Sequence, residues 1–504
     1  MKSLRPYVFW PPFLLLMSAL LLSVWDNASF TRVITVANNW VLTHFSLAFA
    51  AGGLMMLVSC LIVYASPLGK VRLGGADAKP ILSPFSWATV ALCTNTGVGI
   101  LFWAMAEPMY HFSAPPASMH ILAESQAAAR FALSTLFLHW SFTPSAIFAL
   151  PALMFALAFY NMKLPFSLSS SLFPLFKSSC HGGLANGIDA ISLYSLVAGM
   201  AASLATGILT LSGGLQFVYG IKSQPGLWII VGIVIVIAFM LSAITGLEKG
   251  IKWLSNINTG FFAVLAILVL ATGPMVSVAM LSYGAMGDFV SQFVDRSLFL
   301  SFNTGDPWPK NWTVFYMAVW FAWAPVTAAF LGRIGVGYTV RKFIVVNLFI
   351  PSVFAIFWMT IFGGTTLSFE MNHSANLLHT LTSQGPEALA YTVLAKFPFA
   401  TIVIPLFLIT VFISYVTAAD SSTIVMAGMS SHGISPESPE ASIFIKLIWG
   451  LIVGSLALVM LCRNGVEGIK TLSYLGGVPA LIYQLAVMVA ILKVAFRPQK
   501  YLAK

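Results

Sequence analysis

The chain has 504 residues, of which 59% are hydrophobic and only 8% are charged. Soluble globular proteins carry about 25% charged residues, so a chain this apolar cannot cover a water-facing surface, and a soluble protein is excluded. The formal net charge of +10 comes from Lys and Arg scattered between apolar segments, which argues against nucleic-acid binding and for a membrane orientation signal.

The apolar residues fall into runs long enough to cross a bilayer, and we count twelve of them. A spanning helix needs about 20 apolar residues. The first run, Tyr7–Val24, follows Lys2 and Arg5, and no small-residue cleavage site comes after it. We therefore interpret it as a transmembrane helix and not as a signal peptide. The runs centre near residues 16, 55, 97, 146, 201, 235, 269, 322, 352, 412, 452 and 484.

The basic residues indicate how such a chain is oriented. When they are assigned to the loops of a twelve-span chain, 17 of the 25 Lys and Arg fall on the side that holds both termini. Cytoplasmic loops carry an excess of Lys and Arg. The bias therefore predicts that both termini are cytoplasmic.

The third span contains a polar cluster next to two glycines, Gly97 and Gly99. Thr94, Asn95 and Thr96 precede them at mid-membrane. This pattern predicts a broken helix, whose freed backbone groups could meet a cation or a substrate. Close packing of helices through small residues is the alternative interpretation.

Two carboxylates stand out within apolar spans. Glu107, followed by Pro108, is expected near the outer interface, where ion pairing and a transport role are equally open. Asp420 lies in the tenth span beside hydroxyl residues. An intramembrane carboxylate is a functional hypothesis by default, with cation binding, proton relay, helix capping and a structural role at the cytoplasmic end as the alternatives.

Outside the spans, the segment 286–302 has apolar residues at helical spacing, which predicts an amphipathic helix on the outer surface. Within the spans, Trp320 and Trp323 are three residues apart and share a helix face, and Trp140 follows His139. Deep Trp and Tyr rings can hold quaternary ammonium groups by cation–π attraction, although ordinary packing is the more usual explanation for such residues taken alone.

The sequence offers no constellation for catalysis. The histidines His111, His139, His373 and His379 are scattered along the chain, no Cys-x-x-Cys pair occurs among the four cysteines, and no Walker-type motif is present. We therefore predict that the protein is not an enzyme, has no cofactor and is not an ATP-driven pump.

Together these segments resemble the betaine/carnitine/choline transporter (BCCT) family, in the right order over most of the chain. The residues that carry the resemblance are Gly97-Val98-Gly99, Phe102-Trp103, Glu107-Pro108, His139-Trp140, Gly246 to Gly250, Trp312 to Pro325, Arg333-Ile334, Thr339 to Arg341, Phe362 to Gly364 and Thr417 to Ser421.

The resemblance implies an all-α integral membrane protein with a LeuT-type core of two inverted five-helix repeats, preceded by two extra helices. It also implies a homotrimer in the bacterial inner membrane, working by alternating access around a midplane site. The expected divisions are residues 1–80 (extra helices), 81–282 (first repeat), 283–310 (external helix and linker), 311–496 (second repeat) and 497–504 (short cytoplasmic tail).

For the substrate, the resemblance implies a box lined by Trp140, Trp320 and Trp323, with Tyr110 beside it and the glycines Gly97 and Gly99 at the helix break. Three matched positions depart from the family. Ser145 occupies a position where a Trp is expected, Phe148 one where a Tyr is expected, and Val319 one where a Trp is expected. The aromatic cage is therefore expected to be incomplete.

For the ion, the resemblance implies a Na⁺ site made by backbone carbonyls of Cys93 and Thr96 and the hydroxyl of Thr417. Ala418 replaces a second hydroxyl, and Asn258 stands where sodium-independent exchangers of the family carry an Arg. Both Na⁺ and H⁺ stay open as coupling ions. Ser203 and Thr206 in the fifth span are weaker candidates for a cation site.

The sequence thus predicts a secondary active transporter of a small quaternary-ammonium or betaine-like solute, coupled to a cation by symport. A cation-independent exchanger of carnitine type, a transporter of another zwitterionic or cationic solute, and a transport fold used as a sensor are the alternatives.

Overall fold

The computed structural model describes residues 4–96, 99–245, 252–301, 304–434 and 441–502, and these residues are almost entirely helical. No strand occurs among them beyond two isolated bridges, Leu4 with Ser431 and Arg72 with Thr339. Helices suit a chain inside lipid because they satisfy every backbone polar group within the segment. The motif from Gly246 to Gly250 and residue Gly97 lie outside the described residues.

The chain begins with two long apolar helices, α1 (Pro6–Trp25) and α2 (Asn27–Ala65). Asp26 separates them and caps α2, because its side chain accepts a hydrogen bond from the Ser29 amide over 3.0 Å. With 39 residues, α2 is about 58 Å long, which exceeds a bilayer core of about 30 Å. It must therefore tilt strongly or extend beyond the lipid.

The third span is broken, as its polar and glycine residues predict. Helix α3 (Pro84–Thr96) is followed by α4 (Gly99–Ser113), and the two axes differ by 45°. Next come α5 (Gln126–Trp140) and α6 (Phe142–Ala156), which together with a π-helical turn to Asn161 form one apolar span.

Three long helices follow, α7 (Gly182–Tyr219), α8 (Pro225–Thr245) and α9 (Lys252–Thr272). Gly220 ends α7 in the left-handed conformation, with φ of +72°, and its amide bonds back to the Gln216 carbonyl. Glycine is the residue that adopts this conformation without a Cβ clash.

The external helix differs from the prediction for 286–302. Helix α10 runs from Met275 to Ser291 and is followed by the single turn α11 (Phe293–Ser297). The α10 side chains Val278, Leu281, Ala285 and Phe289 are buried at helical spacing, and α10 packs on α5. The helix begins eleven residues before the predicted segment, directly after Gly273 and Pro274, which end α9.

The second half contains the most strongly bent helices. A π-helical turn at Lys310–Val314 leads into α12 (Phe315–Ile334), whose axis bends by 52° next to Pro325. The span 340–371 joins short helices through two π-helical turns. The remaining helices are α13 (Val340–Ile344), α14 (Ile350–Trp358), α15 (Gly364–Met371), α16 (Leu377–Gln384), α17 (Pro386–Leu394), α18 (Ala400–Met429), α19 (Ile443–Phe496) and α20 (Pro498–Tyr501).

Within the described residues, nine helices are long and apolar enough to cross a membrane, or eleven if each bent pair counts as one span. Helix α19 has 54 residues and is interrupted at Gly465, where φ is +56° and ψ is −138°. At 1.5 Å per residue it would be about 80 Å long if straight. The count of twelve and the repeat boundaries stay predictions.

Helix α12 lies at the centre of the fold and packs on α6, α7 and α19. Small residues make these contacts close. A Cβ on Gly477 would meet the Ala318 carbonyl oxygen at 2.8 Å, and one on Gly332 would meet the Ala152 carbonyl oxygen at 2.6 Å. Backbones can approach this closely only where side chains are absent. The close packing brings the aromatic face of α12 against the break between α3 and α4.

Candidate functional site

A cavity of about 60 Å³ lies beside the broken helix. By this measure a water molecule needs about 10–15 Å³, so the cavity has room for a few waters or one small solute. Six helices, α3, α5, α6, α7, α12 and α19, and the start of α4 line it. Its residues are Thr94, Asn95, Thr96, Gly99, Trp103, Trp140, Phe148, Ala202, Ser203, Thr206, Phe315, Tyr316, Val319, Trp320, Trp323, Ile469 and Ser473.

The aromatic side chains of the cavity stand mostly edge to face. The ring centroids of Trp140 and Trp320 are 5.0 Å apart with an interplanar angle of 81°, and Phe148 meets Trp320 at 5.8 Å and 80°. Tyr316 lies 5.4 Å from Trp140 and nearly parallel to Trp320 at 6.2 Å. The rings thus form adjoining walls of the cavity, and a ring face that is turned to the cavity would attract a cation.

Hydrogen bonds fix two of these walls. Trp140 Nε1 donates to Glu107 Oε2 over 2.7 Å, and Trp320 Nε1 donates to the His139 carbonyl oxygen over 2.9 Å. Buried indoles usually find such partners. With their ring planes held, the walls are pre-organised, which reduces the entropy cost of binding.

Gly99 is needed for the shape of the cavity. A Cβ at this position would lie 3.0 Å from Cη2 and 3.4 Å from Cζ3 of Trp140. Those atoms belong to a rigid ring, so any side chain would push the ring out of place. The glycine therefore lets the indole lie directly against the start of α4.

The departures from the family pattern alter one wall. Ser145 does not line the main cavity but lines a second, adjoining space of about 10 Å³, which it shares with Trp140, Phe148 and Trp320. That space is close to the size of one water molecule. Val319 lines the main cavity. Small side chains at 145 and 319 therefore leave room where larger rings are expected.

Tyr110 does not line the cavity. Its ring instead contacts Trp312, with centroids 5.2 Å apart. Tyr316 is a cavity residue that the sequence interpretation missed. It precedes Trp320 by four residues, so the helical repeat that pairs Trp320 with Trp323 also places Tyr316 on that face.

The candidate cation residues lie on α3, α9 and α18, which pack together. Asn258 Nδ2 donates to Ser414 Oγ over 2.9 Å and lies 3.7 Å from Cys93 Sγ. Asn258 thus bridges the three helices without a charge. Ser414 belongs to this group, although the interpretation of the sequence did not include it.

The hydroxyls of Thr96 and Thr417 donate to carbonyls of their own helices, Leu92 and Ile413 respectively. This leaves the oxygen lone pairs available to a cation, which needs acceptors only. Ala418 contributes no side-chain ligand. Ser203 and Thr206, the weaker candidates, line the aromatic cavity instead.

Glu107, which the sequence predicts near the outer interface, is fully buried within the protein beside the cavity. The interpretation of His111 and His139 as unclustered is wrong. Glu107 Oε1 lies 2.6 Å from His139 Nδ1 and 3.1 Å from His111 Nε2. Helix α4 continues through Pro108, so Glu107 and His111 share one of its faces, and α5 brings in His139.

The three side chains Glu107, His111 and His139 could in principle hold a metal, because their ligand atoms lie within 4.8 Å of one another. Two ligands of a tetrahedral zinc ion, however, lie about 3.3 Å apart. The 2.6 Å separation of Glu107 Oε1 and His139 Nδ1 is that of a hydrogen bond. The geometry therefore favours a proton between these atoms over a metal ion.

Asp420 is also buried, inside α18 and nine residues before its end. It accepts a hydrogen bond from Ser242 Oγ over 2.5 Å, which ties α18 to α8. The neighbouring hydroxyls of Ser421 and Ser422 bond to carbonyls of their own helix. The structural role and the ion-binding role both remain compatible with this position.

Comparison with known proteins gives the family. The model of the betaine/carnitine/choline family transporters matches residues 7–500. An ectoine/hydroxyectoine transporter of Virgibacillus pantothenticus is 30% identical over 457 residues, which is 91% of this chain and 90% of that protein. The glycine betaine transporter OpuD of Bacillus subtilis is 29% identical, over an alignment that covers 94% of this chain and 91% of OpuD.

The fold has a solved counterpart. A Na⁺-coupled sialic acid symporter in a substrate-bound, outward-open state matches 91% of this chain and 97% of its own, with a TM-score of 0.50 and 13% identity. That symporter has the LeuT fold, which supports the LeuT-type architecture here. With the match to the family model over nearly the whole length, the chain belongs to the betaine/carnitine/choline transporter family.

Proposed function

We propose that this protein is a secondary active transporter that carries a small quaternary-ammonium or betaine-like solute by alternating access. The observation that supports this most is the aromatic cavity at the break between α3 and α4. A cation there would be attracted to the ring faces of Trp140, Tyr316 and Trp320, which lie within about 6 Å of one another. Each desolvated aromatic contact is worth about 0.5–2 kcal/mol.

The names of relatives support the same class of solute. Proteins that align over most of the chain are described as transporters of glycine betaine, of choline and of ectoine/hydroxyectoine. These compounds are compact and carry a delocalised or fully substituted cationic group. Such a group suits an aromatic wall because its charge is spread over several atoms, so it loses its hydration water at low cost.

A second candidate is a bulkier zwitterion such as ectoine. The observation that favours it is the adjoining space at Ser145, where a larger ring is expected. A solute with a ring would fill both spaces, whereas a trimethylammonium group would fill only the main cavity. The name of the ectoine/hydroxyectoine relative is in line with this candidate.

We propose that transport is coupled to a cation by symport, with Na⁺ or H⁺ as the ion. The support is that Asn258, which bridges α3, α9 and α18, carries no charge. A fixed Arg at that position would make a bound cation unnecessary, and its absence argues against the exchanger alternative. Thr96 and Thr417 keep oxygen lone pairs for an ion.

We further propose that the protein is a homotrimer in the bacterial inner membrane with both termini in the cytoplasm. The orientation rests on the two-to-one bias of Lys and Arg between alternate loops. The trimer rests on family membership alone.

Uptake by proteoliposomes tests the proposal. Labelled glycine betaine, choline, carnitine and ectoine are offered with and without an inward Na⁺ gradient. We expect one solute to accumulate, and Trp320→Leu to weaken its binding by about two- to thirtyfold. Trp253→Leu is the matched control, because Trp253 is 64% exposed on α9. Failure of all four solutes to accumulate would overturn the substrate class.

A further inference from the structure

The cluster of Glu107, His111 and His139 lies directly behind the wall of the cavity. All three side chains are fully buried, and Glu107 Oε1 contacts both imidazoles. An ionised carboxylate in such an interior must be compensated, since a lone buried charge is very costly. Two neutral imidazoles alone leave one net negative charge in the cluster.

The hydrogen bonds define where a proton could be added. When Glu107 is ionised, both imidazoles can bond to the same carboxylate oxygen only if His111 Nε2 and His139 Nδ1 carry hydrogens. In a neutral His139, Nε2 then accepts from the Thr313 hydroxyl, 3.1 Å away. In a neutral His111, Nδ1 is left as an acceptor, and within the described residues it is buried without a hydrogen-bond partner. One acceptor in the cluster is therefore open.

The charged and titratable groups around the cluster do not supply its missing charge directly. Arg296 of α11 lies with its guanidinium 4.5 Å from the ring centroid of Phe131, and that ring contacts His111. The guanidinium bonds to the hydroxyls of Ser134 and Thr135. The Phe131 ring therefore lies between this guanidinium and the cluster.

The other facing groups are more distant or neutral. Tyr316 of α12 stacks on His139 at 4.7 Å, and Lys470 of α19 lies 5.4 Å from the Trp312 ring, on which His111 packs. Glu387 of α17 lies on the Tyr110 side of α4. In their described residues, α6 and α14 contain no titratable side chain, and on α10 Asp288 pairs with Arg130 at 2.6 Å.

The cluster also touches the walls of the cavity. Trp140 donates to the second oxygen of Glu107 at 2.7 Å, Tyr316 stacks on His139, and the His139 carbonyl accepts from Trp320. Two cavity walls, Trp140 and Tyr316, therefore contact side chains that would gain or lose the proton, and Trp320 is bonded to the backbone of His139.

We propose that Glu107, His111 and His139 form a proton-binding site that competes with a cationic solute in the aromatic cavity. The competition between proton and solute, unlike proton binding itself, rests on the proposed function. A proton adds positive charge directly behind Trp140, which weakens the attraction of the cavity for a cation. By reciprocity, binding of the cation releases the proton.

Competition has a consequence for coupling. An ion that is carried together with the solute must bind with it, not against it. A proton on this cluster therefore opposes loading of a cationic solute, so it is not the ion that is carried together with the solute. Protonation of the cluster at low pH would therefore slow uptake of the solute.

Choline is the probe, because its charge is permanent and any pH dependence must come from the protein. Binding is followed by tryptophan fluorescence of the full-length protein in nanodiscs between about pH 5 and 8, the range in which histidines titrate. We expect the Kd for choline to rise on acidification, by at most about tenfold per pH unit for one linked proton. Proton release on binding is recorded in weak buffer with an indicator dye.

Glu107→Gln keeps the shape of the side chain and an oxygen for Trp140, but it removes the charge. We expect its Kd for choline to be independent of pH and its proton release to vanish. His111→Gln, which removes the open acceptor, should also flatten the profile and serves if Glu107→Gln does not fold. His379→Gln is the matched control, because His379 is exposed on α16, and it should retain the wild-type profile.

Three outcomes would overturn the inference. In the first, wild-type binding shows no pH dependence. In the second, Glu107→Gln keeps the wild-type slope. In the third, about one tightly held zinc ion per chain is present in the wild type and lost in Glu107→Gln, which would make the cluster a metal site. If no onium compound binds at any pH, the proposed function fails instead. A pH titration of the tryptophan fluorescence, compared between the ligand-free wild type and Glu107→Gln, then still decides whether the cluster takes up a proton.

Discussion

Trp140 and Glu107 are joined by a hydrogen bond from the indole Nε1 to the carboxylate Oε2, with a length of 2.7 Å. Trp140 is a wall of the cavity, and Glu107 is fully buried behind it. The indole thus contributes both a π face to the cavity and a donor to a buried charge. A carboxylate bonded to the indole nitrogen also makes the ring more electron-rich, which strengthens its attraction for a cation.

Trp140→Phe separates these two contributions, since it keeps an aromatic face and removes the donor. We expect the variant to lose about 1–3 kcal/mol of stability, because a buried charged acceptor loses its partner. The measurement is thermal unfolding of the purified protein in detergent, with Trp253→Phe as the control at an exposed site. Equal unfolding temperatures for the two variants would contradict the prediction.

Gly99→Ala should damage the site without damaging the helix. The added Cβ would lie 3.0 Å from Trp140 Cη2, so the ring must move and the cavity must change shape. We expect weaker binding of the transported solute. Gly287→Ala on α10 is the matched control, because no atom lies within 4 Å of its Cβ and alanine favours a helix by about 1 kcal/mol. Unchanged binding in Gly99→Ala would show that the ring can give way.

Much of this site is predictable from sequence because helical spacing fixes which residues share a face. Trp320 and Trp323 line the cavity together, and the polar residues beside Gly99 mark the break between α3 and α4. Tyr316 obeys the same spacing and could have been found by extending the pattern one turn back.

The location of Glu107 illustrates what sequence spacing leaves open. A proline after an acid suggests the end of a helix, but α4 continues through Pro108 to Ser113. Depth in the membrane can be read from the apolar run, whereas the direction of a side chain around the axis depends on the neighbouring helices. His139 lies 32 residues further along the chain, and only tertiary packing brings it to Glu107.

The predicted start of the amphipathic helix at residue 286 is wrong for a simpler reason. Apolar spacing sets that start, whereas Gly273 and Pro274 mark the boundary in the structure. They follow the end of α9, and α10 starts at Met275. Breaker residues are the stronger signal for where a helix starts.

Ser145→Leu tests whether the adjoining space takes part in choosing the solute. A leucine would fill the space of about 10 Å³ that Ser145 shares with Phe148 and Trp320. We expect binding of ectoine to fall more than binding of glycine betaine, because only the bulkier solute would use that space. The measurement is competition of the two unlabelled solutes against one labelled ligand. Ser145→Ala, which changes polarity but not bulk, should leave the ratio near that of the wild type.

Asp306 should make the contact between the segments around Ser118 and Trp308 sensitive to acid. Burial raises the pKa of Asp306, but hydrogen bonds from Ser118 and the Trp308 amide outweigh it and hold the pKa below its ordinary value. The Ser118 amide and hydroxyl donate to Oδ2 over 2.9 and 2.7 Å, which ties the segment after α4 to the one before α12. A lowered pKa means that the ionised form stabilises the folded state. This contribution is present above the unfolded pKa of about 3.9 and is lost as the pH falls through the native pKa.

We therefore expect Asp306→Asn to increase hydrogen exchange in the segments around Ser118 and Trp308 at neutral pH. The difference from wild type should shrink only as the pH falls through the lowered native pKa of Asp306, where the wild-type carboxyl itself becomes protonated. Asp295→Asn, at an exposed site on α11, is the control and should match the wild type throughout. Exchange that differs equally at neutral and acid pH would mean that the shape of the side chain, and not its charge, holds the two segments together.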